Sequence, residues 1–78
     1  MFELVTRPGC HLCDEMEALL LRVLPQHGLS LGYRDVDADA DLLGRFGEVV
    51  PVLLRDGKPV AKVRVTETQL VRLIRRRR

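Results

Sequence analysis

The chain opens on a short apolar run and then changes period. FELVT, Phe2–Thr6, alternates imperfectly and is short, as a buried strand would be. From His11 the period turns helical. Cys13, Met16, Leu20, Val23 and Leu24 recur three or four positions apart and form one apolar face. Pro25 strains or ends that helix, and Gly28 reads as its stop. LSLGYRDV, residues 29–36, alternates through Leu29, Leu31 and Tyr33 and predicts a second strand.

Asp37 is placed to cap a short helix through ADADLLGRF, with Gly47 as terminator. VPVLL, residues 50–54, predicts a third strand. RDGK follows, and Asp-Gly between apolar runs is a strong hairpin signal. PVAKVRV is then the antiparallel partner. TETQ, residues 66–69, fits a capping box that opens a last helix with Leu70, Leu73 and Ile74 inward. The order is β-α-β-α-β-β-α. The first two strands must run parallel because a helix crosses between them, and the last two form a hairpin. The predicted fold is α/β: one four-stranded mixed sheet with helices on both faces.

Composition narrows the class. The 78 residues make a single domain over 1–78, and a chain this short buries only about 60% of its unfolded surface. With 46% hydrophobic and 31% charged residues it reads as a soluble globular protein. Its net charge is +2, and residues 75–78 are all arginine, so the rest is slightly acidic. That balance does not argue for nucleic-acid binding. The arginine run reads as a soluble helix end whose cations suit the C-terminal dipole. Phe2, Tyr33 and Phe46 are expected in the core or at element ends, so no aromatic platform accompanies the arginines. Glu3, Arg7 and Asp14 interrupt any signal-peptide pattern. ALLL, residues 18–21, is far short of the roughly 20 apolar residues that span a bilayer. A cytoplasmic protein with no membrane partner is expected, and a monomer.

In that setting TRPGCHLCDEM, residues 6–16, carries the chemistry. A structural disulfide is unusual in the cytosol, so a close cysteine pair is more often catalytic or metal-binding. Cys10 falls at the first turn or cap of the first helix, and Cys13 one turn later. Residues three apart lie on one side of a helix, so the two sulfurs can close a small disulfide ring. Free backbone N–H groups and the positive end of the helix dipole favour a thiolate at Cys10. Cys10 lies on the loop side and Cys13 on the apolar face. Cys10 is then the nucleophile, and Cys13 resolves the mixed disulfide. A protonated His11 or a nearby Arg7 would stabilise the Cys10 charge further.

Two other readings stay open. The pair can be buried cysteines at helical spacing in a non-catalytic binding module. It can also carry a metal or an iron–sulfur cluster, with His11 and, one helix-length away, His27 as further ligands. A tetrahedral zinc site needs four ligands and this chain offers two good ones, so no metal site is assigned. Pro51 opens a strand, and residue statistics alone make its peptide bond trans.

A strand, then GCHLC opening a helix, then VVPVLL before an Asp-Gly hairpin resembles the glutaredoxins. More closely, it resembles the small bacterial glutaredoxin-like proteins of the thioredoxin-fold superfamily. The likeness covers nearly the whole chain, including the 37 residues between Cys13 and Pro51. It implies a cis Pro51 beside Cys10. It implies that the Val50 backbone pairs with substrate as an added strand, with Cys10 as nucleophile and Cys13 as resolving cysteine. No bound cofactor is implied. Arg7, His11, Val50 and Pro51 are the candidate substrate-binding residues, and the partner is a protein disulfide or glutathione. The chain departs from the glutaredoxins in two places. His11-Leu12 stands where they carry Pro-Tyr or Pro-Phe. The Gly-Gly turn and aspartate that hold the glutathione carboxylate are replaced by VRVTETQ. There Glu67 would repel a carboxylate and Arg64 would offset it.

Overall fold

The computed structural model describes residues 1–76. Arg77 and Arg78, the end of the arginine run, lie outside the described residues. The elements are β1 (Phe2–Thr6), α1 (His11–Val23), β2 (Leu31–Asp35), α2 (Ala40–Phe46), β3 (Val52–Arg55), β4 (Lys58–Lys62) and α3 (Glu67–Arg75). This is the order the hydrophobic pattern predicts. The strands form one sheet in the order β2-β1-β3-β4. β1 runs parallel to β2 and antiparallel to β3, and β3 and β4 are antiparallel.

The sheet sorts its apolar residues to two faces because neighbours along a strand point opposite ways. Leu4 packs with Met16, Leu20, Leu53 and Leu70, so α1 and α3 cover one face. Its neighbour Val5 packs with Val36, Leu42, Phe46 and Val52, so α2 covers the other. Both β1 residues are essentially inaccessible. A central strand buried on both sides must read as a continuous apolar run, which is why FELVT alternates so poorly. The protein has the thioredoxin-like α/β fold.

Local chemistry sets the boundaries. α1 passes into a 3-10 turn, Leu24–His27, with Pro25 at its start. Gly28 caps it at φ +72°, donating to the carbonyls of Leu24 and Pro25. Leu29 donates back to Leu24 at 3.0 Å, so its backbone still serves the helix end and the strand starts later, at Leu31. Asp56 and Gly57 turn the hairpin at φ +53° and +84°, the geometry an Asp-Gly pair is suited to. The register shifts between Leu53 and Leu54 and leaves Val60 of β4 without a partner in β3, next to Pro59, which has no N–H to donate. The capping box of α3 is complete. Thr66 Oγ1 accepts from the Gln69 N–H at 3.1 Å, and Gln69 Oε1 accepts from the Thr66 N–H at 2.9 Å.

Four expectations need correction. Asp37 does not cap α2. Asp39 does, accepting from the N–H groups of Asp41 and Leu42. Aspartates at 35, 37 and 39 share one period, and the acceptor of the first free helical N–H groups is the one nearest the helix. Tyr33 is not in the core. It is 50% exposed on the edge strand β2, where its hydroxyl donates to Glu17 at 2.6 Å. The third strand begins at Val52 rather than at residue 50. β4 stops at Lys62, because the chain turns sharply at Val63.

Candidate functional site

Cys10 is the N-cap residue of α1. Its backbone is extended, and its Sγ accepts a hydrogen bond from the Cys13 N–H at 3.1 Å. The preceding turn brings the chain there from β1. Pro8 presets one residue of that turn, and Gly9 at φ +76° supplies a conformation that side chains resist. The two cysteines are joined in a disulfide with Cα atoms 5.1 Å apart, within the span such a bond needs. Cys13 is 1% exposed beneath the helix, whereas Cys10 is half-buried at its end. The pair is therefore asymmetric, with one sulfur facing the solvent side of a helix start and one facing the core.

The Val50–Pro51 peptide bond is cis. Pro51 is buried, and its carbonyl accepts from the Val63 N–H at 2.7 Å. Arg64 N–H then reaches back to the Lys62 carbonyl at 2.7 Å, closing a three-residue turn on Val63 at φ +67°. A β-branched residue at positive φ is a strained exception, and here it ties the segment after β4 to Pro51. Nothing in the sequence marks Val63 for that place. Val50 makes no backbone hydrogen bond among the described residues.

Arg7 is committed to a clamp. Its Nε and Nη2 donate to Asp37 at 2.9 Å each, and Nη1 donates to the Gly47 carbonyl at 3.0 Å. The hydrogen bond to Arg7 holds the Asp37 carboxyl below the usual carboxylate range, and the same contact raises the guanidinium pKa. Arg7 thereby links the end of β1 to the stretch that leads into Val50. His11 is exposed, and its Nε2 lies 2.9 Å from Glu15, one turn on. Glu15 also faces Arg64 at 3.7 Å. His27 sits in the 3-10 turn at the far end of α1, about 20 Å of helix away from the pair. Among the described residues, no group of three or more His, Cys, Asp and Glu is placed to hold a metal ion. Among the same residues, no helix is long and apolar enough to cross a membrane.

The arrangement can therefore open and close a disulfide at a helix N-terminus. Comparison with solved structures finds the same architecture in structural-genomics target protein XcR50 from X. campestris. Its X-ray structure is 25% identical, with a TM-score of 0.78 over 95% of each chain. Its solution structure is 26% identical, with a TM-score of 0.74 over 94% of this chain and 90% of that one. Comparison with curated proteins finds no match. The family model described as Glutaredoxin-like domain (DUF836) matches residues 2–75. With that model running from the first strand to the end of the last helix, the chain belongs to the glutaredoxin-like domain family.

Proposed function

We propose that the protein is a dithiol–disulfide oxidoreductase in which Cys10 attacks and Cys13 resolves. The observation that carries this reading is the Cys10 sulfur at the α1 N-cap, 3.1 Å from the Cys13 N–H, above a Cys13 that is almost fully buried. In the reduced protein the same N–H group and the helix dipole stabilise a Cys10 thiolate. That thiolate attacks one sulfur of a substrate disulfide, and the other substrate sulfur leaves as a thiolate. Cys13 then loses its proton and attacks the Cys10 sulfur, releasing the second substrate thiol. Two electrons have passed to the substrate and the Cys10–Cys13 disulfide has formed. Two equivalents of an external thiol restore the dithiol and leave as their own disulfide.

The unpaired backbone of Val50 supports strand-like pairing with the substrate beside Pro51. Arg7 acts here as a positioning residue, and His11 with Glu15 forms the exposed rim. The absent Gly-Gly turn favours a protein disulfide over glutathione as partner. A cytoplasmic setting suits a pair that must be kept reducible.

The test is a redox titration. The protein is poised in glutathione buffers, quenched with an alkylating reagent and weighed. A midpoint between roughly −300 and −150 mV is expected. Failure to form an internal disulfide at any poise would overturn the reading.

A further inference from the structure

The free edge of the sheet carries a line of cations that the thiol chemistry leaves unused. β4 ends the strand order, so among the described residues its outer backbone groups have no strand partner. Between β4 and α3 runs a groove of about 340 Å³, floored by Val60, Ala61, Val65 and Leu73. Arg64, Arg72 and Arg76 flank it. A smaller groove of about 120 Å³ lies between α1 and the segment after β4, lined by Leu12, Glu15, Met16 and Val63. Both grooves include Arg64 and Val65, so they join into one track. One end of that track is Leu12, which stands between the two cysteines. The other is the end of α3.

Among the described residues the charge along the track is mainly positive, with Arg64, Arg72 and Arg76 against the single carboxylate of Glu15. Arg72 and Arg76 make no side-chain ion pair among the described residues. Arg64 meets Glu15 at 3.7 Å between exposed groups, a contact that contributes little and exchanges easily. Glu67, the acid nearest the groove on α3, is held by Arg22 at 2.9 Å. Lys58 and Lys62 are two further exposed cations on the strand, outside the lining of either groove.

These features separate the candidate occupants. A second copy of this chain would bring the same cations to the same edge and be repelled. Among the described residues no aromatic ring lines the track, so nucleotide bases have nothing to stack on. An apolar floor beside an open strand edge, with cations along the rim, complements an extended polypeptide that carries carboxylates. We propose that the track binds an acidic, extended segment of the protein whose disulfide is exchanged at Cys10. This rests on the oxidoreductase reading above and names its substrate class.

The test separates docking from chemistry. An acidic peptide with alternating apolar residues, its cysteine replaced by serine, is titrated into the isotope-labelled reduced protein and followed by amide NMR. Shifts are expected at Val60, Ala61, Val65, Gln69 and Leu73. Affinity should fall about tenfold when salt rises from about 50 to about 500 mM. R72Q/R76Q, with its fold checked in the same spectra, should weaken binding at least about tenfold. Equal binding of a neutral peptide with the same apolar pattern overturns the proposal. So does tighter binding of a single-stranded oligonucleotide, or a shift map confined to another face. The serine peptide cannot exchange disulfides, so docking is read independently of turnover. Docking without any redox activity would leave the surface standing and remove the oxidoreductase reading.

Discussion

Arg7 and Asp37 meet through two side-by-side hydrogen bonds, Nε to Oδ2 and Nη2 to Oδ1, each 2.9 Å. With Nη1 on the Gly47 carbonyl, one guanidinium joins the end of β1 to the 3-10 turn Val36–Ala38 and to the end of α2. A planar fork can do this and a lysine ammonium cannot. Pairing lowers the Asp37 pKa in the folded state. Its stabilising contribution is therefore complete above the unfolded aspartate value of about 3.9 and is lost as pH falls through the lower folded value. Thermal unfolding at about pH 6 and about pH 3 checks the sign. The wild type should lose more stability on acidification than D37N, and R7K should behave as D37N does. Identical losses in all three would remove the clamp from the account.

Tyr33 gives a second, optical readout. Its hydroxyl donates to Glu17 at 2.6 Å, and that hydrogen bond raises its pKa above the ordinary phenol value. Here the folded value lies above the unfolded one. The contribution is present below about pH 10 and is lost as pH rises through the folded value. The chain has one tyrosine and no tryptophan, so phenolate absorbance reports Tyr33 alone. E17Q should move the titration midpoint down toward that of a free tyrosine. A midpoint that does not move would mean the contact is absent in solution.

The sequence made the element order, the two-sided core and the cysteine pair legible, because periodicity and caps are local signals. Cys13, Met16, Leu20 and Val23 could be read as one face from their spacing, and Thr66 with Gln69 as a box from their residue types. Asp37 was misread because three aspartates two apart offer the same cap, and only the tertiary reach of Arg7 claims one of them. Tyr33 was misread because alternation cannot say whether a strand lies at the edge or the centre. Val63 was invisible, since its positive φ runs against its residue type and follows from its contact with Pro51. The cation track needed the sheet order before Arg64, Arg72 and Arg76 could be placed together.

Gly47 has a steric role that alanine would break. It ends α2 with its N–H on the Leu43 carbonyl, and a Cβ there would stand 2.6 Å from that carbonyl oxygen. The carbonyl belongs to helix backbone and cannot swing away as a side-chain tip would. G47A is expected to cost about 1–3 kcal/mol, the usual range for overpacking. For a domain of this size each kcal/mol is about 4–8 °C in Tm. The Gly47 carbonyl also receives Arg7, so the Arg7 side-chain NMR signals should shift in the variant. An unchanged Tm would show that α2 can unwind at no cost.

The two cysteines should differ most clearly in alkylation. In the disulfide form Cys10 stands half-buried at the helix start with the Cys13 N–H aimed at its sulfur, and reduction leaves that N–H in the helix backbone. Cys13 is 1% exposed, packed where its thiolate has no solvent to stabilise it. A helix N-terminus favours the thiolate and an apolar surrounding disfavours it, so both effects act in the same direction on the ratio. Iodoacetamide should modify Cys10 at least about tenfold faster than Cys13. The Cys10 rate should also reach half its maximum below the ordinary thiol pKa of about 8.5. Peptide mapping by mass spectrometry across a pH series reads both quantities. Placing alanine at Cys13 leaves its backbone N–H in place, so C13A should keep a fast-reacting Cys10. Equal rates at the two cysteines would mean that the helix start does not activate Cys10, and the assignment of nucleophile and resolving cysteine would lose its physical basis.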